Sequence, residues 1–327
     1  MLMLQRFGFA TTLIALCTLG FGRSEAALVP PYFFSSVVTL GGMQPVLELG
    51  KPATTKWVTE GTGFFYGYLV QDDPDSTKKK YAVFLITAGH VVKSHPANAS
   101  GTIGIRVDAT ETTAKAQDFE IPIADWFFHP SPDVDLAAVP MPIELLKTLK
   151  LETGFFANDQ HAFTKNQMVE AGVSAGDGIF ILGFPMGLSG QSRNYAIVRQ
   201  GAIARISEYL DGASKWFLVD SFVFPGNSGG PVVLKPEITS ITGTKSNGKA
   251  ALIGVVQGYQ PYTDVAISLQ TKHQRIAFEE NSGLAVVFPV DYINEMVKER
   301  SEAVWKVEQL KMKPPETAPI PEAAPAK

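Results

Sequence analysis

The chain reads as an all-β protein made of two barrel-sized halves. Three observations predict this. Short strand-like runs rich in Val, Ile, Phe and Tyr recur along it, parted by Gly, Pro, Asn and Asp, which is the pattern of a barrel or sandwich. A length of 327 residues accommodates two packed β-barrels in succession. The single cysteine, Cys17, lies in an N-terminal leader, so the remainder is held by burial and hydrogen bonds rather than disulfides.

Residues 1–26 read as a secretory signal. Arg6 precedes an apolar stretch from Phe7 to Phe21, and Ser24-Glu25-Ala26 is a small-x-small cleavage pattern. Export is the expectation. The apolar run is shorter than the ~20 residues that span a bilayer, so no stable membrane span is expected after cleavage. Leu16 is too large for a lipoprotein signal ahead of Cys17.

The first half is placed at 27–150. Residues 27–54, punctuated by Pro and Gly, carry little periodicity and are expected to cover the end of a barrel. A strand is predicted over Thr55 to Val70, a polar hairpin tip over Gln71 to Lys80, a buried strand from Ala82 ending at His90, and short strands at Thr102–Val107 and Phe119–Ile123. Pro142 to Gly154 reads as a short helix and a break. Residues 151–175 form a connector between halves.

The second half is placed at 176–300. It opens near the run Gly176 to Pro185, continues through a strand pair at Tyr195–Ile206, an apolar run Trp216–Phe224, a strand at Leu252–Tyr259 and a closing strand at Gly283–Val290. Gln260 to Ser282 is an insertion, read either as a specificity or gating loop or as a plain surface feature. Asp291 caps a C-terminal helix whose Ile293, Met296, Val297, Val304 and Trp305 form an apolar stripe. The tail within 301–327, rich in Pro and Ala beyond Lys313, lacks core-forming residues and is expected to be disordered.

Three stretches carry chemistry. Phe222-Val223-Phe224-Pro225-Gly226-Asn227-Ser228-Gly229-Gly230-Pro231 places a hydroxyl on a glycine-flanked turn between two strands, where a carbonyl can approach the backbone. A serine needs a neighbouring base, and Ile86-Thr87-Ala88-Gly89-His90 supplies one. Asp133-Val134-Asp135-Leu136-Ala137 supplies a carboxylate, with Asp133 the competitor to Asp135.

In this order and context the motifs resemble the chymotrypsin-like (trypsin-fold) serine proteases, over about Gly61 to Ile293. The bacterial high-temperature-requirement branch is the most similar, since Asp220 and the Pro225-Gly226-Asn227 lead-in also fit. The resemblance implies two six-stranded antiparallel β-barrels; the leader adds a periplasmic or secreted location, and the residues after the closing strand leave no room for the C-terminal peptide-binding domain that many relatives carry. It implies His90 as general base, Asp135 as its orienting carboxylate and Ser228 as nucleophile, with the amides of Gly226 and Ser228 as an oxyanion hole. Phe222 falls at the base of the primary pocket and Gly258 on its wall. With no carboxylate at that base, a small or apolar residue before the scissile bond is expected rather than Lys or Arg.

The function implied is an exported serine endopeptidase acting on proteins or peptides. A second reading is a catalytically silent protease-fold binding or chaperone-like protein. The Gly-x-Ser-x-Gly spacing also matches α/β-hydrolases, but Pro231, Val232 and Val233 oppose the helix that fold requires after its serine. The net charge of −4 gives no support for nucleic-acid binding. His95, His129, His161 and His273 show no ligand spacing, so neither metal nor cofactor is expected.

Overall fold

A computed structural model describes residues 28–46, 54–94, 101–237, 245 and 247–312. The signal segment 1–26, His95 and the tail beyond 312 lie outside the described residues.

The first half contains β1 (Val37–Val46), β2 (Thr54–Gln71), β3 (Lys80–Ala88), β4 (Thr102–Val107), β5 (Gln117–Pro122), β6 (Phe127–Phe128), β7 (Leu136–Pro140) and β8 (Phe156–Ala157). They form one eight-stranded sheet ordered β5-β4-β1-β2-β3-β7-β6, with β8 added parallel to β2. The second half contains β9 (Gly178–Gly183), β10 (Ile197–Arg205), β11 (Phe217–Asp220), β12 (Pro231–Leu234), β13 (Ala251–Ile267) and β14 (Gln274–Pro289). These close a six-stranded barrel in the order β10-β11-β14-β13-β12-β9.

The expectation of two six-stranded barrels is therefore corrected for the first half. Among the described residues its sheet does not close: β6 is only two residues long before His129-Pro130, and its one ladder is made with Ala137 and Ala138. Residues 37–46 are not a cover either. They form a strand between β4 and β2, with Val37, Val38 and Leu40 buried. Gly41 sits at a bulge in that pairing, and a Cβ there would lie 1.9 Å from the Val58 carbonyl oxygen. Glycine obscured the strand in the sequence because close strand approach requires it.

Strand alternation divides the apolar residues among three cores. From β3, Val83 and Leu85 point into the first half, while Ala82, Phe84 and Ile86 point to the seam between halves. From β9, Ile179 and Ile181 fill the second barrel, while Phe180 and Leu182 face the same seam. Strands buried on both faces explain the continuous apolar runs in the sequence. The helix Val290–Met312 seals this seam with Ile293, Met296 and Val297, each buried. Asp291 lies in its first turn, and its carboxylate accepts instead from the Lys165 amide at 2.9 Å and the Tyr209 hydroxyl at 2.7 Å. It thereby caps the start of the neighbouring helix Lys165–Ala171.

The helix expected near Pro142 is Ile143–Thr148. The stretch Tyr195–Ile206 holds one strand, β10, not a pair, and Gln260–Ser282 is the outer part of a long β13–β14 hairpin.

His161 ties the connector to both halves. Its Nδ1 accepts from the Ala157 amide at 3.0 Å, and its carbonyl accepts from the Leu252 amide at 2.8 Å. Burial first, and Lys249 second, hold its pKa below the ordinary value of 6.5. The unfolded chain therefore binds this proton more readily, and the stabilisation present above about pH 6.5 is lost as pH falls towards the lower folded value. Chemical denaturation at pH 7.5 and 5.5 should show a smaller loss of stability in His161→Gln than in the wild type. An equal loss in both would rule His161 out as a source of acid sensitivity.

Candidate active site

His90 and Asp135 are delivered by one strand pairing. β3 and β7 run antiparallel with Ala88 opposite Leu136, and the ladder continues as the Gly89 amide donates to the Asp135 carbonyl at 3.0 Å. The chain then turns into the short helix Gly89–Lys93, which swings the imidazole over the carboxylate. A Cβ at Gly89 would stand 2.6 Å from Asp135 Oδ1, so a larger residue would obstruct the pair. His90 Nδ1 and Asp135 Oδ2 are 2.5 Å apart. A carboxylate accepts at that position, so the proton of neutral His90 resides on Nδ1 and Nε2 carries the free lone pair. Asp133 turns elsewhere, to Lys215 Nζ at 2.7 Å.

Ser228 lies on the turn between β11 and β12. Gly226 has φ of 98° and Gly229 has φ of 84°, in the region that L side chains rarely adopt. A Cβ on Gly226 would lie 2.3 Å from the Phe184 carbonyl oxygen, and one on Gly229 would lie 2.1 Å from that of Thr62. The turn is thus pressed against both halves of the molecule.

Thr62 clamps it. Its amide donates to the Ser228 carbonyl at 2.9 Å, its hydroxyl donates to the Gly226 carbonyl at 2.6 Å, and the same oxygen accepts from the Phe184 amide at 3.1 Å. The Asn227 side-chain oxygen accepts from the Phe224 amide at 3.0 Å, bracing the turn from within. The Pro225 carbonyl accepts from the Met186 amide at 2.6 Å. Because this peptide is trans, the Gly226 N–H points the opposite way, away from Met186. Among the described residues, neither the Gly226 nor the Ser228 amide donates to a protein acceptor.

A cleft of about 430 Å³ joins these parts. Its lining includes His90, Ser228, Gly226 and Gly258, together with Glu60, Val223, Phe224, Val256, Gln257 and Tyr259. The Ser228 hydroxyl donates to the Gln257 carbonyl at 2.9 Å. Of the expected site residues, Asp135 contacts His90 from outside the cleft lining, and Phe222 does not line the cleft either. Its side chain is 52% exposed and its ring lies over Gly283. Val223 and Phe224 provide the apolar wall instead, and Arg199 stacks its guanidinium on the Phe224 ring at 5.1 Å.

Sequence reasoning passed over Thr62 and Glu60. Thr62 falls within the strand predicted over Thr55 to Val70, where only its contacts reveal its role. Glu60 is a carboxylate in the cleft that accepts from Gln44 Nε2 at 2.6 Å. Among the described residues, no group of three His, Cys, Asp or Glu side chains could hold a metal ion, and no helix is long and apolar enough to cross a membrane.

The family described as the trypsin-like peptidase domain matches residues 61–237, more than half of the chain and the whole span from Thr62 through His90 and Asp135 to Ser228. No curated protein matches the chain. A mostly β architecture with a closed six-stranded barrel agrees with that family. On this match the chain belongs to the trypsin-like peptidases.

Proposed function

We propose that the protein is an exported serine endopeptidase that cleaves proteins or peptides through an acyl-enzyme, with His90, Asp135 and Ser228 as its catalytic residues. The observation that carries this is the 2.5 Å His90–Asp135 pair, whose His90 lines one cleft together with Ser228. In the reaction the Ser228 hydroxyl turns from Gln257 to His90, whose Nε2 takes the proton as Oγ attacks the peptide carbonyl. The C–N bond then breaks, His90 returns the proton to the leaving amine, and water repeats the sequence to release the acid. Asp135 holds the tautomer and stabilises the imidazolium. The amides of Gly226 and Ser228, both without a protein acceptor, are suited to receive the developing oxyanion, each such donor contributing about 10²–10³ in rate.

Val223, Phe224, Val256 and Tyr259 favour a small or apolar side chain before the scissile bond. Placement in the high-temperature-requirement branch and export by the 1–26 leader belong to the same proposal.

A fluorophosphonate probe phosphonylates an activated serine and spares an inactive one. Mass spectrometry of the labelled protein should find the adduct on Ser228. Labelling of another residue, or none while casein is held uncut, would replace the endopeptidase with a binding protein.

A further inference from the structure

Beyond the barrel, β13 and β14 continue as a two-stranded ribbon, in one register from Pro261 opposite Asn281 to Ala266 opposite Ile276, with a shift before Ile267 opposite Gln274. Within the barrel β14 pairs with β13 on one edge and β11 on the other, and the β11 ladder ends at Leu284. From Gln274 to Asn281 the second edge of β14 pairs with no strand among the described residues. An open edge offers a row of amides and carbonyls to another chain, and proteins commonly blunt such edges with proline. β13 carries Pro261 on its ribbon stretch, whereas β14 has no proline between Gln274 and Phe288.

The side chains on this ribbon are not those of an ordinary solvated loop. Tyr262, Ile276 and Phe278 are each more than half exposed. The register pairs Tyr262 with Glu280, Asp264 with Phe278 and Ala266 with Ile276, so all three large apolar residues share one face. Two strands alone in water are marginal, and further strands on such a face stabilise it.

The segment Arg275-Ile276-Ala277-Phe278-Glu279 is complementary to itself when reversed. We propose that β14 pairs antiparallel with β14 of a second copy of this chain about Ala277, giving a four-stranded sheet across a two-fold axis. Arg275 then lies opposite Glu279 of the second copy, Ile276 opposite Phe278, and Ala277 opposite itself. Two-fold symmetry makes each unlike pair occur twice. A two-residue slip that sets Arg275 opposite Ala277 loses both charged pairs and puts Phe278 opposite Gln274, keeping only Ile276 opposite its own copy, so the register about Ala277 holds more favourable pairs. This inference does not depend on the catalytic reading.

Sedimentation velocity on the purified protein, over a range of concentrations, tests it. The wild type should form a dimer. Arg275→Glu places like charges opposite each other twice and should raise the dimer dissociation constant by about tenfold or more, with the far-UV spectrum unchanged. Arg275→Glu combined with Glu279→Arg restores unlike pairs and should recover dimerisation. A wild type that stays monomeric, or a dimer equally strong in all three proteins, would overturn the proposal.

Discussion

Ser228→Ala is expected to lower kcat for hydrolysis of an unfolded protein substrate by on the order of 10⁶-fold, to the limit of detection. The substitution removes only the oxygen proposed to attack. The Ser228 hydroxyl makes one hydrogen bond, to the Gln257 carbonyl, and the turn is held by main-chain contacts to Thr62 and by Asn227, which remain. Stability should therefore change by no more than about 1 kcal/mol. Progress curves with labelled casein, set beside thermal melts, separate the two effects. Residual activity within about tenfold of wild type would point to a different nucleophile, and a large fall in melting temperature would show that Ser228 is part of the scaffold.

Asp135→Asn is expected to reduce kcat by about 10⁴-fold near neutral pH with little change in KM. An amide can donate to Nδ1 of His90 where the carboxylate accepts, which moves the imidazole proton to Nε2 and removes the lone pair that Ser228 requires. The main-chain bond from Gly89 to the Asp135 carbonyl is untouched, so the loop should keep its place. Steady-state kinetics with a peptide substrate measures this directly. Wild-type kcat in the variant would mean that the 2.5 Å contact is structural only.

The three chemical motifs were legible because each is local: a buried strand ending in Gly89-His90, a strand opening at Asp135, and a serine among glycines. The same holds for β2 and β4, whose β-branched and aromatic runs have clear ends. What stayed hidden depends on residues far apart in the chain. β1 carries Gly41, Gly42 and Pro45, and its strand character comes from packing between β2 and β4. The first sheet ends at a β6 only two residues long, which the run Trp126-Phe127-Phe128-His129-Pro130 does not announce. Phe222 was placed at a pocket base by analogy of position, but its ring lies over Gly283 and Val223 and Phe224 take the wall.

Thr62 holds a wider consequence. It belongs to β2 of the first sheet, yet its amide and hydroxyl secure Ser228 and Gly226 of the second half. One threonine makes the posture of Ser228, the proposed nucleophile, a property of both lobes at once. Any loosening of one lobe against the other, by heat or denaturant, must disorganise the chemistry before either lobe has melted by itself, so loss of turnover should be an early reporter of strain at their junction.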